Sequence, residues 1–81
     1  MKIRKLSTPS PQDPFEYTVQ VHWDDYQLSR RRRNQTILRN IDRLGIDRKD
    51  IAYRYDIVID ATVIHFKNKI DGVDFYVTMG M

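Results

Sequence analysis

Four consecutive arginines, Arg30 to Arg33, open a segment that continues through Arg39 and Arg43. Between Leu28 and Leu44 these six are opposed by a single acid, Asp42. The planar, permanently charged guanidinium fork suits phosphate and carboxylate, so the chemistry on offer is recognition of an anion. At 100° per residue, Arg32, Thr36, Arg39 and Arg43 fall on one face of a helix, opposite Ile37, Leu38, Ile41 and Leu44. A helix N-terminus already carries partial positive charge, so arginines there oppose the macrodipole and repel one another. Replacing Arg31 and Arg32 by Glu is therefore expected to leave the fold at least as stable while impairing whatever is bound. Lys2, Arg4 and Lys5 form a second basic element near the N-terminus. Arm and helix together have the character of surfaces that track a polyanion.

Other chemistry is weaker. His22 with Asp24 and Asp25, and His65 elsewhere, form the one grouping that suggests a metal. A site needs three or four converging ligands, and here His22 takes the solvent phase of a strand while the aspartates suit a helix start. No metal and no cofactor is expected. Asp56 and Asp60 read as outward strand residues beside Arg54, where ion pairing is the ordinary role, and Asp71 and Asp74 are a similar surface pair. Three glycines and two scattered histidines assemble neither a nucleophile–base pair nor a phosphate-cradling loop, so the chain is not expected to be an enzyme. Tyr26 and Tyr76 are left over, either exposed for contact or base stacking or, as is commoner, buried at the rim of the core.

The elements that must position these residues are read from periodicity. Residues 1–14 form a basic arm; Ser7–Pro14 holds all three prolines and no large apolar side chain, so it is an extended connector. Residues 15–81 then form one domain. Phe15, Tyr17, Val19, Val21 and Trp23 alternate with Glu16, Thr18, Gln20 and His22, the pattern of a half-buried strand. A helix follows over 26–44, capped at its start either by Asp24 with Gln27 or by Ser29. Leu44-Gly45-Ile46 reads as its end: a left-handed glycine, then an apolar residue folding back. Arg30 and Arg33 fall below the apolar stripe, with their stems on apolar surface and their guanidinium groups in water. Tyr53, Tyr55, Ile57 and Ile59 alternate next, and a slip in phase near Ala61–Val63 predicts a bulge in one long, bent strand. Asp-Ala supplies no comfortable positive-φ position for a tight turn there. Asp71-Gly72 does, so Thr62–Lys67 and Val73–Thr78 read as a hairpin.

Length and composition set the limits. Eighty-one residues without cysteine make one small domain with a modest core and no disulfide framework. The net charge of +3 and pI near 9.4 favour anionic partners. No apolar run approaches a membrane span, and no apolar stretch follows the basic start as a signal peptide requires.

The stretch His65-Phe66-Lys67-Asn68-Lys69-Ile70-Asp71-Gly72-Val73-Asp74-Phe75-Tyr76-Val77-Thr78-Met79-Gly80 resembles the ending of many short proteins of tailed bacteriophages. Those tend to close with a strand, an Asp-Ala or Asp-Gly step, then Phe-Lys-Leu-Thr-Trp-Gly. Here Tyr76-Val77 stands for Lys-Leu and Met79 for Trp. The resemblance implies a viral origin and carries no activity. It also implies a rival to the hairpin, a short helix Lys69–Tyr76 capped by Asn68.

The fold expected is α+β: one helix on a small, mainly antiparallel sheet of three to four strands, ordered β-α-β-β. The β-α-β unit is open to a parallel, right-handed arrangement. The expected core is Tyr17, Val19, Val21, Ile37, Leu38, Ile41, Leu44, Tyr55, Ile57, Ile59, Ile64, Phe66, Phe75 and Val77. The function expected is non-enzymatic binding, in the cytoplasm or a host's cytoplasm, away from membrane. Arg30, Arg31, Arg32, Arg33, Arg39, Arg43, Lys2, Arg4 and Lys5 would contact nucleic acid or an acidic surface. The alternative is a protein–protein module, a virion component or an inhibitor of a host complex, which could assemble through the arm.

Overall fold

The structure, a computed structural model, describes residues 3–23 and 30–80, Arg30 by its backbone alone. The expectations for Lys2, the caps at Asp24–Gln27 and Ser29, Tyr26 and the Arg30 side chain lie outside the described residues. The elements are β1 (Ile3–Ser7), β2 (Tyr17–Trp23), α1 (Arg30–Arg43), a single 3-10 turn (Arg48–Asp50), β3 (Ile51–Asp56), β4 (Ala61–Phe66) and α2 (Lys69–Gly80). The sheet order is β1-β2-β4-β3, and every neighbouring pair is antiparallel. Strands β2 and β3 thus run the same way with β4 inserted between them, a split β-α-β unit bridged by α1. The fold is α+β.

Both helices cover one face. Val19, Val21 and Trp23 of β2 and Ile64 and Phe66 of β4 point into a core completed by Ile37 and Ile41 of α1, Ile46, and Phe75 of α2. The Trp23 indole N–H donates to the Thr62 hydroxyl at 3.0 Å, so these two buried polar groups satisfy one another. The end of α1 is as its sequence suggests. Gly45 takes φ 75°, its N–H reaches Asp42 O at 3.1 Å, and the Ile46 N–H reaches Ile41 O at 3.1 Å while its side chain is buried.

Four expectations need correction. Residues 51–66 are not one bulged strand but two, joined by a turn over 57–60 in which Asp60 takes φ 50°. Aspartate is among the few side chains that tolerate this region, and Tyr55 OH and Arg33 both engage its carboxylate. The Val73–Thr78 strand is instead part of α2. Its apolar residues satisfy two periods, and the helical one prevails because Gly72, Phe75, Tyr76 and Met79 reach the core together. The resemblance had implied a helix from Asn68, and α2 runs four residues past the end it implied. The Lys69 N–H meets the Glu16 carboxylate at 3.3 Å, and the Asn68 amide donates to Asp71 at 3.5 Å, so two acids lie at the positive end of α2. Ile57, Ile59 and Val77, expected in the core, are exposed as a consequence of these two changes. Fourth, Ile3–Ser7 of the basic arm is an edge strand on β2, with an irregular step between Ile3 and Lys5. The end of α2 lies beside it: Ile3, Leu6, Tyr76 and Met79 pack together on the core.

Candidate anion-binding surface

The exposed face of α1 carries Arg31, Arg32, Arg39 and Arg43. From Arg32 to Arg43 the helix rises about 16 Å, so the guanidinium groups form an elongated stripe and not a pocket. Among the described residues, no carboxylate forms an ion pair with Arg31, Arg39 or Arg43. The acid of this helix, Asp42, is held by Arg48 from the 3-10 turn: Nε to Oδ1 is 3.1 Å and the second nitrogen to Oδ2 is 2.7 Å. This bidentate hydrogen bond keeps the Asp42 carboxyl below the ordinary carboxylate range. Asp42 therefore does little to offset the arginines beside it. Arg39, Arg48, Gln35, Leu38 and Asp42 line a shallow groove of ≈ 500 Å³ on this face.

Arg33 is not part of the stripe. Its side chain is 8% exposed and its guanidinium lies 3.9 Å from Asp60, at the foot of the β3–β4 turn. The expectation that this guanidinium reaches water is corrected: Arg33 occupies the same helix phase as Ile37 and Ile41, and Asp60 draws it inward.

Arg4 and Lys5 are exposed on β1, and Lys5 pairs in register with His22. Burial first, then the charges of Arg4 and Lys5, hold the His22 pKa below its ordinary value, with Asp60 opposing. His22 pairs in register with Ala61, and the neighbouring Asp60 is reached by Arg33 from α1, so Arg4, Lys5 and the first turn of α1 share one end of the sheet. Arg39, Arg43 and Arg48 lie toward the other end of α1.

The sheet face away from the helices carries a polar ladder that sequence reading did not assemble. The Ser7 hydroxyl donates to Gln20 at 3.2 Å, Gln20 meets His22 at 3.4 Å, and Thr18 meets His65 Nδ1 at 2.9 Å. Phe15 stacks on His65 with ring centroids 5.3 Å apart. The signal was present in the polar phase of β2, Thr18-Gln20-His22. Arg48 was missed because no local pattern links it to Asp42. Asp56 pairs with Arg54 at 3.2 Å along one strand, and Asp60 pairs away from any strand. Among the described residues, no three His, Asp or Glu side chains converge to hold a metal, and no helix is long and apolar enough to cross a membrane.

Compared with known proteins, the chain matches no family model, no curated protein and no solved structure.

Proposed function

We propose that the protein binds nucleic acid through the exposed face of α1, as a non-enzymatic binding module. The observation that carries this is the helical spacing of Arg31, Arg39 and Arg43 on an exposed face where no described carboxylate pairs with them and the resident acid is already engaged. Such a face costs local stability and gains from an anionic partner. Arg32 shares the face; Arg4 and Lys5 add charge near its first turn. Phosphate neutralisation releases counterions, so log K falls against log[salt] with slope about 0.9 per phosphate contacted on duplex DNA. Fluorescence anisotropy with a labelled duplex should show tight binding at about 50 mM salt and a steep decline above it. Each of Arg31→Ala, Arg39→Ala and Arg43→Ala should lower the slope by about one, for any base sequence. A slope of zero, or no binding at low salt, overturns the reading.

A second reading, contact with protein, is favoured by α2. Ile70, Val73 and Val77 lie exposed at i, i+3 and i+7, with Ile70 76% accessible. A soluble helix normally turns such a stripe inward. Self-association that survives high salt and is abolished by Val73→Glu would support it.

A further inference from the structure

The turn between β3 and β4 presents three consecutive apolar side chains to solvent: Ile57 is 72% exposed, Val58 88% and Ile59 37%. A run of this kind at a hairpin tip is avoided in soluble proteins unless it meets something. Its backbone is pinned on both sides. Asp56 accepts from the Val58 N–H at 3.0 Å and pairs with Arg54; Asp60 accepts from Tyr55 OH and forms an ion pair with Arg33. Through Arg33, 8% exposed, the tip is tied to the first turn of α1, where Arg31 and Arg32 are exposed. An apolar point and a basic surface are therefore parts of one end of the molecule.

We infer that the Ile57–Val58–Ile59 tip is a wedge that enters duplex DNA between base steps while the arginines of α1 hold the phosphates. This deepens the binding function proposed above and rests on it. Apolar side chains inserted between steps unstack and kink a duplex, and the cost of unstacking is recovered from the basic surface that the bent DNA can then reach. Two observations favour DNA over a lipid surface. The exposed, described cations of the first turn of α1, Arg31 and Arg32, are both arginine, and insertion into a narrow groove favours arginine where a bilayer charge does not discriminate it from lysine. The basic surface also extends about 16 Å along α1, away from the tip, which suits a groove and not a shallow dip into headgroups.

The test uses the full chain and a duplex carrying 2-aminopurine at a central TA step, a step that unstacks easily. Binding should raise 2-aminopurine fluorescence severalfold. The double variant Ile57→Ser, Val58→Ser should bind with an unchanged salt slope and give little or no rise. These side chains are exposed, so the melting temperature should stay near that of the parent, and Val58→Ser alone provides a milder version. Salt-dependent binding without a fluorescence rise, or a rise that the double variant retains, overturns the wedge and leaves the binding function standing. Loss of salt-dependent duplex binding in the parent removes both. Vesicles containing phosphatidylserine provide the other arm. Tight vesicle binding that requires Ile57 and Val58, with no unstacking of the duplex, makes the tip a lipid contact and overturns the proposal.

Discussion

Adjacent arginines in one run meet opposite fates. Arg31 points to water at a helix start that disfavours cations, while Arg33, two positions on, is enclosed against Asp60. Their substitutions should separate cleanly. Arg31→Glu places a carboxylate at the positive end of α1 and should raise stability by about 0.3–1 kcal/mol at low ionic strength. Arg33→Glu faces one carboxylate with another in a buried place. Breaking a fully buried pair costs about 3–5 kcal/mol; with Asp60 46% exposed, the expected loss is about 2 kcal/mol. Urea denaturation of both variants beside the parent checks this, and equal midpoints for the two would show that Asp60 does not hold Arg33. The distinction was not legible in the sequence. Periodicity places Arg33 beneath the apolar stripe, yet the group that draws it inward stands 27 positions later, on a turn that local rules argued against.

At the scale of elements, the legible parts were those with a single consistent signal. Strand β2 alternates without interruption, and α1 ends at a glycine whose neighbours satisfy the left-handed cap on both sides. Helix α2 failed that criterion. Val73, Phe75, Val77 and Met79 suit a strand, Gly72, Phe75 and Met79 suit a helix, and only the presence of β2 beneath them decides. Gly72 records that decision. A Cβ there would lie 2.4 Å from Tyr17 Cδ2 and 2.8 Å from Tyr17 Cβ, so the glycine lets α2 approach β2 closely. In an ordinary helix interior Gly→Ala gains about 1 kcal/mol. Here overpacking of about 1–3 kcal/mol reverses the sign, and Gly72→Ala should melt several degrees below the parent. Removing the Tyr17 ring should restore only part of the loss, because Tyr17 Cβ remains too near. A melting temperature equal to or above the parent's would mean that the helix stands off the sheet. The candidate surface was legible to a similar degree: the stripe on α1 follows from spacing alone, whereas Arg48 and the apolar tip needed the fold to place them.

For the whole molecule, the two histidines give stability a defined response to acid. Burial, chiefly, holds the pKa values of His22 and His65 below the ordinary value, aided by Arg4 and Lys5 at the first and by Arg54 at the second. In the unfolded chain both protonate near pH 6.5, while in the fold they remain neutral to lower pH. The unfolded state therefore binds more protons in that interval, and stability falls with it. Stability should be full above about pH 7, decline as the pH falls from about 6.5 toward the depressed folded values, and then level until carboxylates titrate. Thermal melts from pH 8 to pH 5 of the parent and of His22→Gln, His65→Gln would show a smaller decline in the double variant. An identical decline would place the acid sensitivity elsewhere. Binding responds in the opposite direction, since protonation of His22 beside Lys5 adds positive charge at the basic end.

The neighbourhood of β1 and the end of α2 bears on how the chain is ordered. Strand β1 is first in sequence yet packs beside residues at the far end of the chain: Leu6 lies 3.5 Å from where a side chain on Gly80 would begin. Nothing in the hydrogen bonding of β1 to β2 depends on the segment 8–16 that joins them. A gene rearranged so that the β1 sequence follows Gly80 through a few flexible residues would close a loop of similar or smaller span, and loop-closure entropy varies only slowly with length. Such a relinked protein should fold to the same sheet and keep the arginine face intact. It would also begin at the Pro-rich connector. The order in which a ribosome delivers these strands and the order in which they stand in the sheet are, for this edge, separable properties.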